Sequence, residues 1–242
     1  MNKLIVLCLV MFSVTATATV STEAGLSMIR TGGNTELETY NLKSKSTKGW
    51  EKRSMTFGGH YTLGTTVEAN EKKESARDWD GFARYDEVLT KKMNRFFQAQ
   101  MEGNTFAGYK QRDNLDLGVK YSFTSTDTTK FFSEVALRHT TEKAVFRNKD
   151  NDDLFKDTKG VIYAEYSKVA SKTLNYKFWL QYVPNFTRSE DYQINFEPSF
   201  NVTLTDMFSL NMAYTGRYDN EKNAGVNKRL DWTHTTSLIA KF

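Results

Sequence analysis

Residues 174–186 read Leu174-Asn175-Tyr176-Lys177-Phe178-Trp179-Leu180-Gln181-Tyr182-Val183-Pro184-Asn185-Phe186. Residues 192–204 read Tyr192-Gln193-Ile194-Asn195-Phe196-Glu197-Pro198-Ser199-Phe200-Asn201-Val202-Thr203-Leu204. In the first stretch Tyr176, Phe178, Leu180, Tyr182, Pro184 and Phe186 hold alternate positions, with Asn175, Lys177, Trp179 and Gln181 between them. The second stretch repeats the pattern from Tyr192 to Leu204. Successive side chains of a strand point to opposite faces, so each stretch has one apolar face and one polar face. Ser189-Glu190-Asp191 separates the two as a hairpin connection does.

The same pattern extends outward in both directions. Thr205-Asp206 is a tight turn, after which Phe208, Leu210, Met212 and Tyr214 share a phase. A last strand over 229–242 has Leu230, Trp232, Leu238, Ala240 and Phe242 in register. Towards the N-terminus the alternation is looser. It predicts strands over Glu23–Thr31, Thr35–Lys48, Arg53–Ala69, Asp78–Leu89, Arg95–Phe106, Arg112–Thr124, Phe131–Ala144 and Lys159–Ser171. In the last of these, Ile162, Ala164 and Tyr166 compete with Val161 and Tyr163 for the apolar face. Gly32-Gly33-Asn34 reads as a tight turn, because glycine and asparagine tolerate positive φ. About twelve alternating segments separated by turns predict an all-β fold: a transmembrane, antiparallel, up-and-down β-barrel with both termini periplasmic.

Connector lengths give an independent argument. The longest predicted connectors, Asn70–Arg77, Phe146–Thr158 and Asp219–Lys228, all fall at odd positions. The even ones, such as Lys172–Thr173 and Thr205–Asp206, are short. Short periplasmic turns and long outer loops are the rule in bacterial barrels.

Met1-Asn2-Lys3 precedes an apolar run from Leu4 to Phe12, and Ala16-Thr17-Ala18 offers a cleavage site. Residues 1–18 therefore read as a signal peptide and residues 19–242 as the barrel. Cys8 is the only cysteine and lies in the apolar run, so the mature chain has no disulfide or thiol chemistry. Lys3 leaves with the signal, so 33 basic side chains become 32 against 29 acidic ones, a mild net charge of +3. No basic cluster stands out, which argues against nucleic acid. No segment after the signal is apolar enough for a membrane helix, and the mean hydropathy of −0.59 does not argue against a barrel, which needs apolar side chains on only one face.

Arg84, Asp86, Glu102, Arg112, Asp116, Lys120, Glu134, Arg138, Lys177, Glu197, Arg217 and Asp231 fall in the polar phase and are predicted to line the lumen. Two readings of this set stand. Mixed charges can line a pathway for a small polar solute, or opposite charges can pair and fill a narrow interior. Of the three histidines, His60 is in the lumen phase, while His139 and His234 fall outward. No Gly-x-Ser-x-Gly or His-x-Ser pattern accompanies them, so no catalytic residues are assigned. Asp150-Asn151-Asp152-Asp153 lacks the glycine and distal glutamate of a calcium loop, and no metal or cofactor is expected. Trp50, Tyr61, Trp79, Tyr85, Tyr109, Tyr121, Trp232 and Phe242 lie near predicted strand ends and read as interfacial girdles. Trp179, in the polar phase, is the exception.

Several short motifs carry a family resemblance. They are Gly33-Asn34-Thr35, Arg84-Tyr85-Asp86, Phe106-Ala107-Gly108, Arg112-Asp113, Leu117-Gly118-Val119-Lys120-Tyr121 and the final aromatic. Together they resemble the YdiY-like salt-induced outer-membrane protein family, a domain of unknown function. The resemblance implies a bacterial outer-membrane barrel of unassigned activity and supplies no catalytic residues. Phe242 resembles the assembly signal read by the barrel-assembly machinery. The expected partners are thus that machinery and outer-membrane lipid with lipopolysaccharide, around a monomer. The expected function is non-enzymatic: a structural or envelope-stress component, or a narrow pore for small polar solutes. The alternatives are an outer-membrane lipid hydrolase and a soluble periplasmic β-barrel binding protein.

Overall fold

The computed structural model describes residues 19–31, 36–68, 71–145, 153–220 and 229–241. The expected signal peptide, the Gly32-Gly33-Asn34 turn, Asp150-Asn151-Asp152 and Phe242 lie outside the described residues. Every regular element described is a strand. They are β1 (Thr19–Thr31), β2 (Glu36–Gly49), β3 (Arg53–Glu68), β4 (Glu71–Val88), β5 (Met93–Asn104) and β6 (Tyr109–Ser125). Then come β7 (Thr129–Ala144), β8 (Leu154–Val169), β9 (Leu174–Pro184), β10 (Tyr192–Thr203), β11 (Phe208–Asp219) and β12 (Leu230–Lys241). Each strand pairs antiparallel with its sequence neighbours, and β12 pairs with β1, so the twelve-stranded sheet closes as expected.

Burial is inverted relative to a soluble domain. On β6, Leu117 is 66% exposed while its neighbour Asp116 is 4% exposed. Val135 and Leu137 on β7, and Phe178, Leu180 and Tyr182 on β9, extend the same exposed apolar band. Asn114, Thr140 and Lys159 are buried inside. An apolar band running around a barrel far exceeds the patches that soluble monomers leave in water, and it fits the hydrocarbon layer.

β1 begins and β12 ends at one rim, here the terminal rim. The turns at 50–52, 89–92, 126–128, 170–173 and 204–207 lie on this rim. Four of them use the same chemistry. Met93 N donates to Thr90 Oγ1 (3.1 Å), Thr129 N to Thr126 Oγ1 (3.0 Å), Leu174 N to Ser171 Oγ (3.1 Å) and Phe208 N to Thr205 Oγ1 (2.9 Å). A short hydroxyl side chain that accepts from the backbone two or three residues on fixes such a turn.

The far rim departs from the sequence reading in four places. The expected connector Asn70–Arg77 is largely strand, because β4 starts at Glu71 and pairs with β3 as far as Glu68. β8 likewise starts at Leu154, inside the expected loop Phe146–Thr158, and Asp219 closes β11. The charged residues there suggested loops, but backbone ladders continue into water above the apolar band whatever the side chains. Finally, Tyr109 is no girdle residue. It is 6% exposed, with the Arg112 guanidinium 3.9 Å from its ring centroid. Register shifts at Glu102/Asn104 and Tyr109/Gln111 mark bulges that turn it inward.

The competition in β8 is resolved in favour of Ile162, which is 48% exposed, whereas Val161 is buried at 5%. Both faces are apolar there for a structural reason. Phe96, Gly118, Ala136 and Val161 form one ladder row across β5 to β8 on the inner wall. Phe96, Ala136 and Val161 pack as a small dry cluster. Gly118 is the gap that admits the ring: a Cβ there would stand 2.6 Å from Phe96 Cζ and 2.6 Å from the Val135 carbonyl oxygen. Gly118→Leu is therefore expected to cost about 1–3 kcal/mol by overpacking, read from urea unfolding of the refolded protein. An unchanged midpoint would mean that Phe96 is free to swing away.

Candidate lumen pathway

The alternation that puts apolar side chains outward leaves the lumen walled by polar ones. From the terminal rim inward the lumen begins with a cavity of about 550 Å³. Its lining runs from the rim turn at Asp127 and Thr128 to Lys43, His60, Asp80 and Phe82, with Lys177 and Glu197 on the opposite wall. Of the sequence-predicted set, Lys177 and Glu197 lie here. Glu197 accepts from Thr215 Oγ1 at 2.8 Å.

Beside this cavity stands the Arg84 cluster. Arg84 donates from Nε and Nη2 to the two Asp86 oxygens at 2.9 Å each, and to Glu134 at 2.9 and 2.8 Å. Arg84 sits on β4 and Glu134 on β7, so the contact is made across the interior and not along a ladder. The guanidinium also lies 3.9 Å from the Phe96 ring centroid. Lys120 places its ammonium 3.6 Å from the Phe132 ring centroid. Phe132, Tyr163 and Trp179 then follow one another across β7, β8 and β9 with centroids 5.9 Å apart at each step. Tyr163 donates its hydroxyl to Glu165 at 2.6 Å.

At mid-height His60 lies between two carboxylates. Its Nε2 is 3.1 Å from Asp78 Oδ1, and its Nδ1 and backbone N–H both meet Asp80 Oδ1. Gln100 donates to Asp80 at 3.1 Å. Arg217 on β11 reaches Asp78 on β4 at 3.4 Å, a second bridge across the lumen. Asp231 faces Arg217 across the β11–β12 ladder.

Towards the far rim the interior fills with ion pairs. Arg138 holds Asp116 through two bonds of 2.7 Å, and Thr140 donates to Asn114 at 2.8 Å. Arg112 bridges Glu142 at 2.7 Å and Glu102 at 3.3 Å. Lys159 and Arg188 share Asp157 and Asp191. Buried charges of this kind persist only when paired and hydrogen-bonded, and the forked guanidinium matches a carboxylate in two bonds.

The sequence reading put His60 in the lumen phase, but it did not single out Asp78, Asp80, Asp157, Lys159, Arg188 or Asp191 as lumen charges. Asp78 and Asp80 share the parity of Arg84 and Asp86, which was signal enough. Lys159 opened a predicted strand in which two phases competed, and Asp157, Arg188 and Asp191 lay outside the predicted strands, where parity has no meaning.

Three solved structures share this closed-sheet architecture. NanC porin is 10% identical with a TM-score of 0.51, over 92% of this chain and 98% of that one. The translocator domain of the autotransporter NalP from Neisseria meningitidis is 10% identical with a TM-score of 0.50, over 94% and 88%. An outer-membrane channel from Pseudomonas putida F1 is 8% identical with a TM-score of 0.52, over 95% and 97%. At these identities the likeness is one of fold. A search of curated proteins finds no match. A family model matches residues 23–242, and so the chain belongs to the family described as "Protein of unknown function, DUF481", the YdiY-like family that its short motifs resemble.

Proposed function

We propose that this protein is a non-enzymatic barrel of the bacterial outer membrane, acting as a narrow pore for small polar solutes with its terminal rim in the periplasm. One observation carries the reading: a solvent-open cavity of about 550 Å³, lined largely by charged, hydroxyl and amide residues, enters the barrel from that rim and reaches His60 and Asp80 at mid-height. Small barrels fill with side chains, and wider ones leave a channel. Twelve strands lie between these cases, so side chains set the bore. Two of the solved structures sharing the fold are a porin and an outer-membrane channel, and the proposal takes the same general role. The apolar outer band supports residence in a bilayer. The protein is then expected in the membrane fraction, released by detergent; release by osmotic shock would refute this.

A hydrolase is disfavoured by what surrounds His60. A nucleophilic serine, threonine or cysteine activated by histidine must lie beside the imidazole, and both His60 nitrogens face carboxylates instead. The pore reading is tested in planar bilayers. Wild-type protein is expected to give small unit currents, rising roughly twofold in Arg217→Ser, where a cross-lumen side chain is trimmed. Silence of both proteins at every salt concentration would overturn it.

A further inference from the structure

The lumen's charges divide unevenly between its two halves. In the far half the cations are matched to carboxylates. Around the terminal-rim cavity they are not: six lysines and four carboxylates line it. Among the described residues, Lys43, Lys45, Lys130 and Lys177 make no ion pair within 4.0 Å. The carboxylates are better engaged. Asp80 is held by His60 and Gln100, Glu197 by Thr215, and Glu23 stands in register between Lys45 and Lys241.

Lys43 is also a built residue, not a loose surface one. Its stem lies over Gly25, where a Cβ would stand 3.1 Å from Lys43 Cγ and 3.2 Å from Cε, and Ile239 closes the same spot. The missing side chain at Gly25 thus gives the lysine its channel into the lumen. Lys177 enters from β9 on the opposite wall. Asn175 and Asn201 lie two ladder positions beyond it as Cα partners, on the same face, and both line the cavity.

We infer that this vestibule binds small multivalent carboxylate or phosphate anions between Lys43 and Lys177 and makes the pore prefer anions. Rings of lysine select anions in pores, and low-dielectric walls focus their field. A volume of about 550 Å³ suits a small molecule and not a polymer coil. The conduction part rests on the pore reading; the binding part does not.

Citrate is the probe. Calorimetric titration of the refolded protein is expected to show citrate binding that weakens roughly tenfold in Lys43→Gln/Lys177→Gln, about 1.4 kcal/mol. Lys156→Gln, which changes an exposed lysine on β8 outside the cavity, should leave it unchanged. Should the double variant fail to refold, Lys177→Gln alone is expected to move in the same direction by less. Under a potassium chloride gradient, the wild-type reversal potential should have the sign of anion preference and shift towards the cation side in the variant. No citrate binding, or equal binding by wild type and variant, overturns the inference. Currents that prefer cations overturn it while leaving the pore intact. Citrate binding without any current supports the site and removes the pore.

Discussion

Asp116→Ala is expected to lower the unfolding free energy by about 3–5 kcal/mol, one of the two largest effects anticipated for this protein. Asp116 and Arg138 meet through two bonds of 2.7 Å, and their side chains are 5% and 11% exposed. Removing the carboxylate leaves a guanidinium buried without its fork partner. It also leaves that charge across the ladder from Lys159, whose own partners are Asp157 and Asp191. Breaking one half of such a pair is what costs. Replacing both halves, as in Asp116→Leu/Arg138→Met, should recover most of the loss, because apolar groups of similar volume need no hydrogen bonds. Urea unfolding of the refolded protein, followed by tryptophan fluorescence, measures both. A single-variant loss below about 0.5 kcal/mol would mean that water reaches the pair. The far half of the lumen would then be open rather than filled.

That pair illustrates what a sequence of this kind discloses. The parity of Asp116 and Arg138 was readable, because Leu115, Leu117 and Val135, Leu137 fix the outer face of each strand. The pairing of Tyr192 with Pro184 follows the same logic, since the alternation on both sides of Ser189-Glu190-Asp191 leaves little choice of register. Partners further away were not readable. Arg84 and Glu134 are fifty residues apart on strands that do not touch, and their meeting depends on tilt and shear, which periodicity does not encode. Two local failures have the same character. Val161 is apolar because a dry row crosses the inner wall, so alternation lost its meaning in β8. Tyr109 has the composition of a girdle residue, yet a bulge one step away reverses its direction. The Glu71–Arg77 stretch misled for a simpler reason: charge was taken for irregularity, although a strand above the membrane band can be charged throughout.

The seam between β1 and β12 supplies the other large expected effect, since the fold depends on it. Among the described residues four pairs join these strands, Glu23↔Lys241 through Leu26↔Leu238, whereas β1 and β2 share thirteen. The ladder then stops, although β1 continues to Thr31 and β12 begins at Leu230. A closed barrel has no free edge; this one closes at the terminal rim and diverges above it. The described residues contain no cysteine, so engineered pairs report on this cleanly. Leu26→Cys with Leu238→Cys places two thiols on directly opposed residues of the closed seam, at a separation that a disulfide spans. This pair is expected to cross-link almost completely on oxidation, and the linked protein to resist heat unfolding in detergent well beyond the reduced form. Met28→Cys with Thr236→Cys would be opposed if the ladder ran on, and it is expected to stay largely unlinked. Linkage of both pairs would show the seam zipped through its length. Linkage of neither would show β1 and β12 apart, and a sheet open there would expose unpaired backbone that a bilayer does not tolerate. The barrel, its lumen and the pore reading stand together on the first pair closing.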